Sequence, residues 1–131
     1  MSDTVELTLP IRADLVVLAR FAAATIASRA DFDVEEIEDL RLAVDELCIS
    51  VADGSADGRL ELRFQREEDE VRVECSFVAA PGAERQDGWA TDPQSELSNR
   101  IVDALVDEHG QDHDGGRQRA WLRKRRAQRP L

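Results

Sequence analysis

The sequence predicts an α+β fold, a two-layer sandwich in which helices cover one face of a mostly antiparallel sheet. Short segments with alternating apolar and polar residues, the period of a half-buried strand, occur near both ends and in the middle of the chain. Between them lie longer segments whose apolar residues recur every three or four positions, as in a helix buried on one side. The predicted order is β, α, α, β, β, α, β. No linker or repeat divides residues 1–131, so we expect a single domain with a basic tail from about residue 125.

The first strand is predicted where Val5, Leu7 and Leu9 alternate with polar residues before Pro10. A first helix is expected over residues 14–28, because its apolar residues form a broad face and three consecutive alanines favour helix. The residues of that face are Leu15, Val16, Leu18, Ala19, Ala22, Ile26 and Ala27.

The second helix has the clearest pattern in the chain. Asp33 followed three residues later by Glu36 predicts a capping box at its start, and the helix runs to about Ala52 before Asp53 and Gly54 end it. Its apolar residues recur at spacings of three and four, which predicts one buried side. They are Ile37, Leu40, Val44, Leu47 and Val51.

The second half of the chain is predicted to begin with a hairpin. Its strands lie around 60–64 and 71–75, and the charged turn 67–70 joins them. Residues 79–94 read as a long loop, and a third helix around 101–106 is expected to start at Ser95 or Ser98 as its cap. A turn-rich section around 114–116 then leads to a closing strand that contains Ala120 and Leu122.

Composition excludes several classes of function. The chain has 131 residues, 42% of them hydrophobic, and its longest apolar runs are far shorter than the roughly twenty residues of a membrane span. No basic, apolar leader is visible, so we expect a cytoplasmic protein. A net charge of −11 argues against direct binding to nucleic acid, whose phosphates favour a basic face. The second helix is strongly acidic and the C-terminus is rich in arginine, so the two regions are expected to attract each other, and a basic protein partner suits the acidic surface.

The two cysteines, Cys48 and Cys75, lack the CxxC spacing and the paired histidines of a metal site. We expect buried thiols in a reducing compartment, in preference to a disulfide or a metal site.

Glu46 and Ser50 are the candidate site residues of the second helix. Residues four apart lie one above the other on a helix, so both side chains point at a single object beside the core. The alternative is structural: a solvated carboxylate, and a serine that is exposed or bonded back to the preceding turn.

The run DLRLAVDE, Asp39 to Glu46, resembles the N-box helix of the histidine-kinase-like ATPases (the Bergerat-type fold), in the branch of bacterial anti-sigma factors that double as serine kinases, the RsbW type. Leu18 to Phe21 is similar to the segment that holds the branch's partner-contacting arginine, here Arg20. Residues 104–108 and 115–124 are similar to its final helix and strand. The resemblance covers about Val5 to Lys124, and the element order agrees with it.

The resemblance implies an ATP site whose boxes are degenerate in this chain. Glu46 matches the acidic general base that takes a proton from water or a substrate serine. The family's magnesium-binding asparagine is replaced by Ser50. The strand segment from Cys75 to Gly82 lacks the adenine-binding aspartate, and Glu96 stands near the expected glycine-rich phosphate box. We therefore expect no efficient kinase or ATPase activity, and no cofactor beyond weakly bound ATP and magnesium.

The resemblance also implies partners. We expect an alternative sigma factor, of the stress or sporulation kind, to be sequestered from RNA polymerase and released by a STAS-type anti-anti-sigma protein, with this chain as a homodimer. Val16, Arg20 and Trp89 are the candidate partner contacts. Arg20 has the alternative of pairing with acids of the second helix, and Trp89 of folding onto the core. The rival functions are an active serine/threonine kinase acting on the anti-anti-sigma partner, and a scaffold for another protein.

Overall fold

The computed structural model describes residues 2–52, 57–81, 93–114 and 117–127. The described elements are β1 (Ser2–Pro10), α1 (Ala13–Arg29), α2 (Val34–Ala52), β2 (Gly58–Glu67), β3 (Glu70–Ala79), α3 (Pro93–Leu105), β4 (Glu108–Asp114) and β5 (Arg117–Arg125). The strands form a fully antiparallel five-stranded sheet in the order β1-β2-β3-β5-β4. The predicted α+β fold class is confirmed, and the architecture is consistent with that of the histidine-kinase-like ATPases.

The core lies between the helices and one face of the sheet. Strand residues of β2 and β3 alternate between buried and accessible positions, so one face of each strand packs inward. In register across the sheet, Val5 faces Phe64, Phe64 faces Val73, and Val73 faces Leu122. Phe64, Val73 and Leu122 are completely buried, and so is Leu40 of α2.

Helix α2 follows its sequence pattern closely. The Asp33 carboxylate accepts a hydrogen bond from the Glu36 amide, and Glu36 accepts one from the Asp33 amide, both at 2.8 Å. This is the predicted capping box. Of the predicted stripe, Leu40, Val44, Leu47 and Val51 are buried and Ile37 is half-buried.

Helix α1 buries a narrower set of residues than predicted. Ala19, Ile26 and Ala27 are buried, but Leu18 is 43% exposed. Apart from Ile26, the buried residues of α1 are alanines, and their small side chains allow α1 to lie close to α2 and the sheet.

The second half of the chain differs from the prediction in two places. Helix α3 begins at Pro93, so Ser95 and Ser98 lie inside the helix and neither is its cap. Proline is favoured at the first helical position, where its missing amide hydrogen costs nothing. Residues 108–114, where no strand was predicted before the turn-rich section around 114–116, form the edge strand β4, so the described residues contain one strand more than predicted.

The C-terminus is tied to the acidic helix α2, as the charge distribution predicts. The amide of Ala127 donates to the Glu36 carboxylate of α2 at 2.6 Å, and Lys124 lies 4.0 Å from Asp39 of the same helix. Arg126 pairs with Asp31, just before α2, at 3.6 Å. The Lys124 ammonium donates to the Leu105 carbonyl at the end of α3 at 2.7 Å. These contacts fix the last strand beneath α2 and α3.

The outer face of the sheet is covered by paired charges. Arg119 binds Asp112 through two hydrogen bonds of 2.9 and 2.8 Å, and Arg117 pairs with Glu61 at 3.1 Å. The Arg72 guanidinium lies 5.0 Å from the ring centroid of Trp121.

Both cysteines are buried, as predicted. They lie on α2 and β3, and the hydrogen bond between the Cys48 and Cys75 thiols, together with burial, raises the pKa of Cys75 well above its ordinary value. The Cys75 thiol is therefore a protonated group of the core.

Candidate functional site

Asp45 and Glu46 are neighbours in sequence on α2 but have partners on different helices. The Asp45 carboxylate faces α1, where it binds Arg20. The Glu46 carboxylate faces α3, where its Oε2 accepts a hydrogen bond from the Ser98 hydroxyl at 2.9 Å. The helix thereby has two polar flanks with different partners.

Ser50 lies one turn after Glu46 and faces the same side. Its hydroxyl oxygen accepts a hydrogen bond from Gln111 Nε2 at 3.0 Å, and the same amide nitrogen donates to Asn99 Oδ1 at 2.9 Å. Ser50 is 4% exposed and Ser98 is 3% exposed. We call this group the α2–α3 seam, defined as Glu46, Ser50, Ser98, Asn99 and Gln111.

The seam confirms one geometric expectation and adds partners that the sequence did not indicate. Glu46 and Ser50 share one side of α2, as their spacing predicts. The object they face is α3 and β4 of the same chain. Ser98 was read only as a cap, and Gln111 belongs to the strand that was not predicted.

The two seam residues that the resemblance assigns to ATP and magnesium, Glu46 and Ser50, are both bonded to other side chains of the chain. Magnesium demands near-octahedral oxygen ligation, whereas Ser50 is buried against Gln111 and Glu46 is bonded to Ser98. The end of β3 brings no carboxylate into the described structure, since it reads Cys75-Ser-Phe-Val-Ala79 with Cys75 and Phe77 buried. Among the described residues, no three or more histidine, cysteine, aspartate or glutamate side chains form a group that could hold a metal ion.

The other flank of α2 carries the predicted partner residue Arg20. Its Nε and one terminal nitrogen donate to the two carboxylate oxygens of Asp45 at 2.9 and 2.8 Å. This hydrogen bonding raises the pKa of Arg20 above its ordinary value. The side chain of Arg20 is nevertheless 41% exposed, and that of Asp45 is 23% exposed. Arg20 therefore makes the ion pair with an acid of the second helix that was its alternative role, and its side chain is still partly exposed to solvent.

Val16 and Arg20 line one cleft between α1 and α2, with a volume of about 300 Å³. Most of its lining is apolar, and it includes two residues that the sequence reading passed over, Val17 and Ile49. Both are apolar residues outside the core stripes of their helices. Apolar residues that lie outside the core stripe of a helix indicate a surface role, and this pattern is visible in the sequence.

Trp89, the third predicted partner residue, lies outside the described residues. No helix among the described residues is both long enough and apolar enough to cross a bilayer.

Comparison with known proteins connects this geometry to a family. The chain is 32% identical over 118 residues to the anti-sigma-F factor RsbW of Mycobacterium tuberculosis, which covers 85% of this chain and 62% of that protein. It is 33% identical over 73 residues to the serine-protein kinase RsbW of Halalkalibacterium halodurans, covering 54% of this chain and 45% of the relative. The corresponding protein of Listeria innocua is 36% identical over 80 residues, covering 58% and 51%.

No family model matches the chain. The chain spans about half the length of the curated serine-protein kinase relatives it matches, and somewhat more of the mycobacterial one. The similarity agrees with the α+β fold that the structure shows. The resemblance inferred from the residues is confirmed, since the chain is similar to proteins named RsbW over 54% to 85% of its length.

Proposed function

We propose that this protein is a cytoplasmic anti-sigma factor. It binds an alternative sigma factor, prevents its association with RNA polymerase, and is released when a STAS-type anti-anti-sigma protein competes for the same surface. The observation that carries the proposal is the similarity over 85% of the chain to a protein named anti-sigma-F factor RsbW. The family's homodimer is part of the proposal.

The surface that we assign to the sigma factor is the α1 face around Val16 and Arg20. Asp45 holds the Arg20 guanidinium by two of its nitrogens, which fixes the orientation of the side chain without burying it. A guanidinium presents five donors in a planar fork, so the donors not facing Asp45 remain suited to a carboxylate on a partner. Trp89 is proposed as a further anchor of the same interface.

We propose that the protein regulates by occlusion, without phosphoryl transfer. A general base must reach the hydroxyl that it deprotonates, and Glu46 accepts a hydrogen bond from the hydroxyl of Ser98 in the same chain. Release of the sigma factor then depends on competition for the α1 face, or on modification supplied by another enzyme.

The second candidate function is that of an active kinase that phosphorylates the anti-anti-sigma partner. It is favoured by the retained Glu46 and by the similarity to two proteins named serine-protein kinase. Incubation of the purified protein with magnesium, labelled ATP and the anti-anti-sigma protein separates the two functions. Transfer of label to that protein would establish the kinase, and unlabelled partner supports occlusion alone.

Co-purification from the native host tests the main proposal. Recovery of a sigma factor with the tagged wild-type protein is expected, whereas its reproducible absence would favour a scaffold for some other protein. The variant Arg20→Glu is expected to lose the sigma factor, because it removes the guanidinium and places a second carboxylate beside Asp45.

A charge-swapped variant separates a binding role of Arg20 from a structural one. Arg20→Asp combined with Asp45→Arg restores an ion pair between α1 and α2 but moves the cation to α2. If the guanidinium on α1 contacts the sigma factor, the swapped protein folds and still fails to bind. Recovery of binding in the swapped protein would reduce Arg20 to a tie between two helices.

A further inference from the structure

The large apolar side chains that are exposed within the described residues all belong to helices. They are Leu18, Phe21, Val34, Leu42, Ile49 and Leu97. The outer face of the sheet carries arginine–carboxylate pairs instead, such as Arg119 with Asp112. Exposed apolar side chains gathered on one side of a protein mark a contact surface. The helical layer is therefore the side of this protein that is suited to a partner.

Four residues form an apolar strip over the groove between α1 and α2. We define the helical strip as Val17, Phe21, Leu42 and Ile49. Val17 and Ile49 line the same cleft. Phe21 follows Val17 by one helical turn and is 59% exposed, and Leu42 precedes Ile49 by two turns and is 55% exposed. The Arg20–Asp45 pair crosses the groove between these apolar residues.

The length of the strip matches that of a helix-binding groove. Seven residues separate Leu42 from Ile49, which corresponds to about 10 Å along α2. Positions i and i+7 of a second helix lie the same distance apart, so such a helix can place successive apolar side chains on both residues. The cleft of about 300 Å³ between Val17 and Ile49 has room for one of those side chains.

Carboxylates outnumber arginines along α2. This helix carries six acidic residues and a single arginine. Glu35 and Glu38 are exposed, and Glu38 lies one turn before Leu42. Glu38 pairs with Arg41 and Asp45 pairs with Arg20, both at 2.8 Å, so these two arginines offset only part of the negative charge. An acidic border repels an acidic partner segment and attracts a basic one.

We propose that the helical strip binds an amphipathic helix whose apolar side chains pack on Phe21, Leu42 and Ile49 and whose lysines and arginines face the carboxylates of α2. The assignment of that helix to a sigma factor rests on the proposed function. The chemistry of the surface, apolar in the centre and acidic at the border, identifies the kind of helix independently.

Fluorescence anisotropy with synthetic peptides tests the proposal. The probe is a labelled peptide of about 18 residues with leucines at helical spacing and lysines on both flanks, long enough to form a helix when bound. Saturable binding is expected at physiological salt. A peptide with glutamate in place of each lysine is expected not to bind, and a scrambled lysine peptide is expected to bind about ten-fold more weakly or worse.

Substitutions in the protein locate the binding surface. Leu42→Ser combined with Ile49→Ser is expected to weaken binding of the lysine peptide by about ten-fold or more, as for residues at the centre of an interface. The control is Leu97→Ser, which removes an equally exposed leucine from α3 and should leave binding unchanged. An equal loss in the control would overturn the assignment to the strip.

A second pair of variants tests the acidic border. Glu35→Gln with Glu38→Gln should weaken binding and flatten its salt dependence, whereas Glu67→Gln with Glu68→Gln, the same charge change in the β2–β3 turn, should not. Equal effects of the two pairs, or binding of the glutamate peptide, would refute the proposal. If the strip variants still recover a sigma factor from the host, the proposed function stands without the strip. If the peptide binds but no sigma factor is recovered, the strip stands without the proposed function.

Discussion

Replacing Ser98 by alanine tests the seam that joins α2 to α3. The substitution removes the 2.9 Å hydrogen bond to Glu46 from a residue that is almost completely buried. A hydrogen bond to a charged group contributes about 1.5–3 kcal/mol, and the partial exposure of Glu46 favours the lower end because water can replace the lost donor. Alanine regains about 0.5 kcal/mol through its helix propensity. The expected net loss of unfolding free energy is about 1 kcal/mol, or a few degrees in melting temperature.

Urea unfolding at pH 7, followed by far-ultraviolet circular dichroism, measures this loss. Ser28→Ala is the matched control, because Ser28 is an exposed helical serine on α1. It should not reduce stability. A double-mutant cycle with Glu46→Gln isolates the coupling between the two side chains, expected to be about 1 kcal/mol or more. A coupling below about 0.3 kcal/mol would show that the seam contact carries no energy and would refute the reasoning.

Two further predictions concern the sheet. Hydrogen bonds from Arg29 and Arg66 lower the pKa of Asp3 from 3.8 to about 2. This contribution to stability is therefore complete above about pH 4 and is lost as the pH falls towards 2. The stability advantage of the wild type over Asp3→Asn should shrink across that window in urea titrations, and an advantage that persists at pH 2 would contradict the assignment. In Gly110→Ala the new Cβ would lie 2.8 Å from Trp121 Nε1. We therefore expect a displaced indole, an altered near-ultraviolet circular dichroism spectrum and a loss of about 1–2 kcal/mol in the free energy of unfolding. An unchanged spectrum would show that the ring does not cover Gly110.

Elements with an apolar period were predictable from the sequence. The capping box and buried stripe of α2 were found because both depend on residues close together in the chain. The same holds for β2 and β3, whose inward residues alternate with charged ones. Their boundaries extend a few residues further than the pattern, since the backbone ladder continues where side chains no longer alternate.

Strand β4 was missed for a physical reason. Its sequence, EHGQDHD, contains no large apolar residue, because an edge strand is held by its backbone hydrogen bonds to β5 and need not bury side chains. Its pairing depends on the position of β5 and leaves no period in the sequence. Gln111, which completes the seam, could not be recognised without that strand.

The sequence predicts which side of α2 carries the candidate site, but not which residues of other elements contact it there. The spacing of Glu46 and Ser50 places both on one side of the helix. Which residues they meet is decided by the start of α3 at Pro93 and by the register of β4, and neither is a local property of α2. The exposed Leu42 and Ile49 were visible in the sequence as apolar residues off the core stripe.

Equilibrium binding of ATP in the presence of magnesium tests the central proposal most directly, namely that this protein works through its surface and not through phosphoryl transfer. Isothermal titration calorimetry of the full chain is expected to show no saturable binding up to about 1 mM nucleotide. Saturable binding in the micromolar range, abolished by Glu46→Gln, would show that the seam opens to accept ATP and would contradict the account.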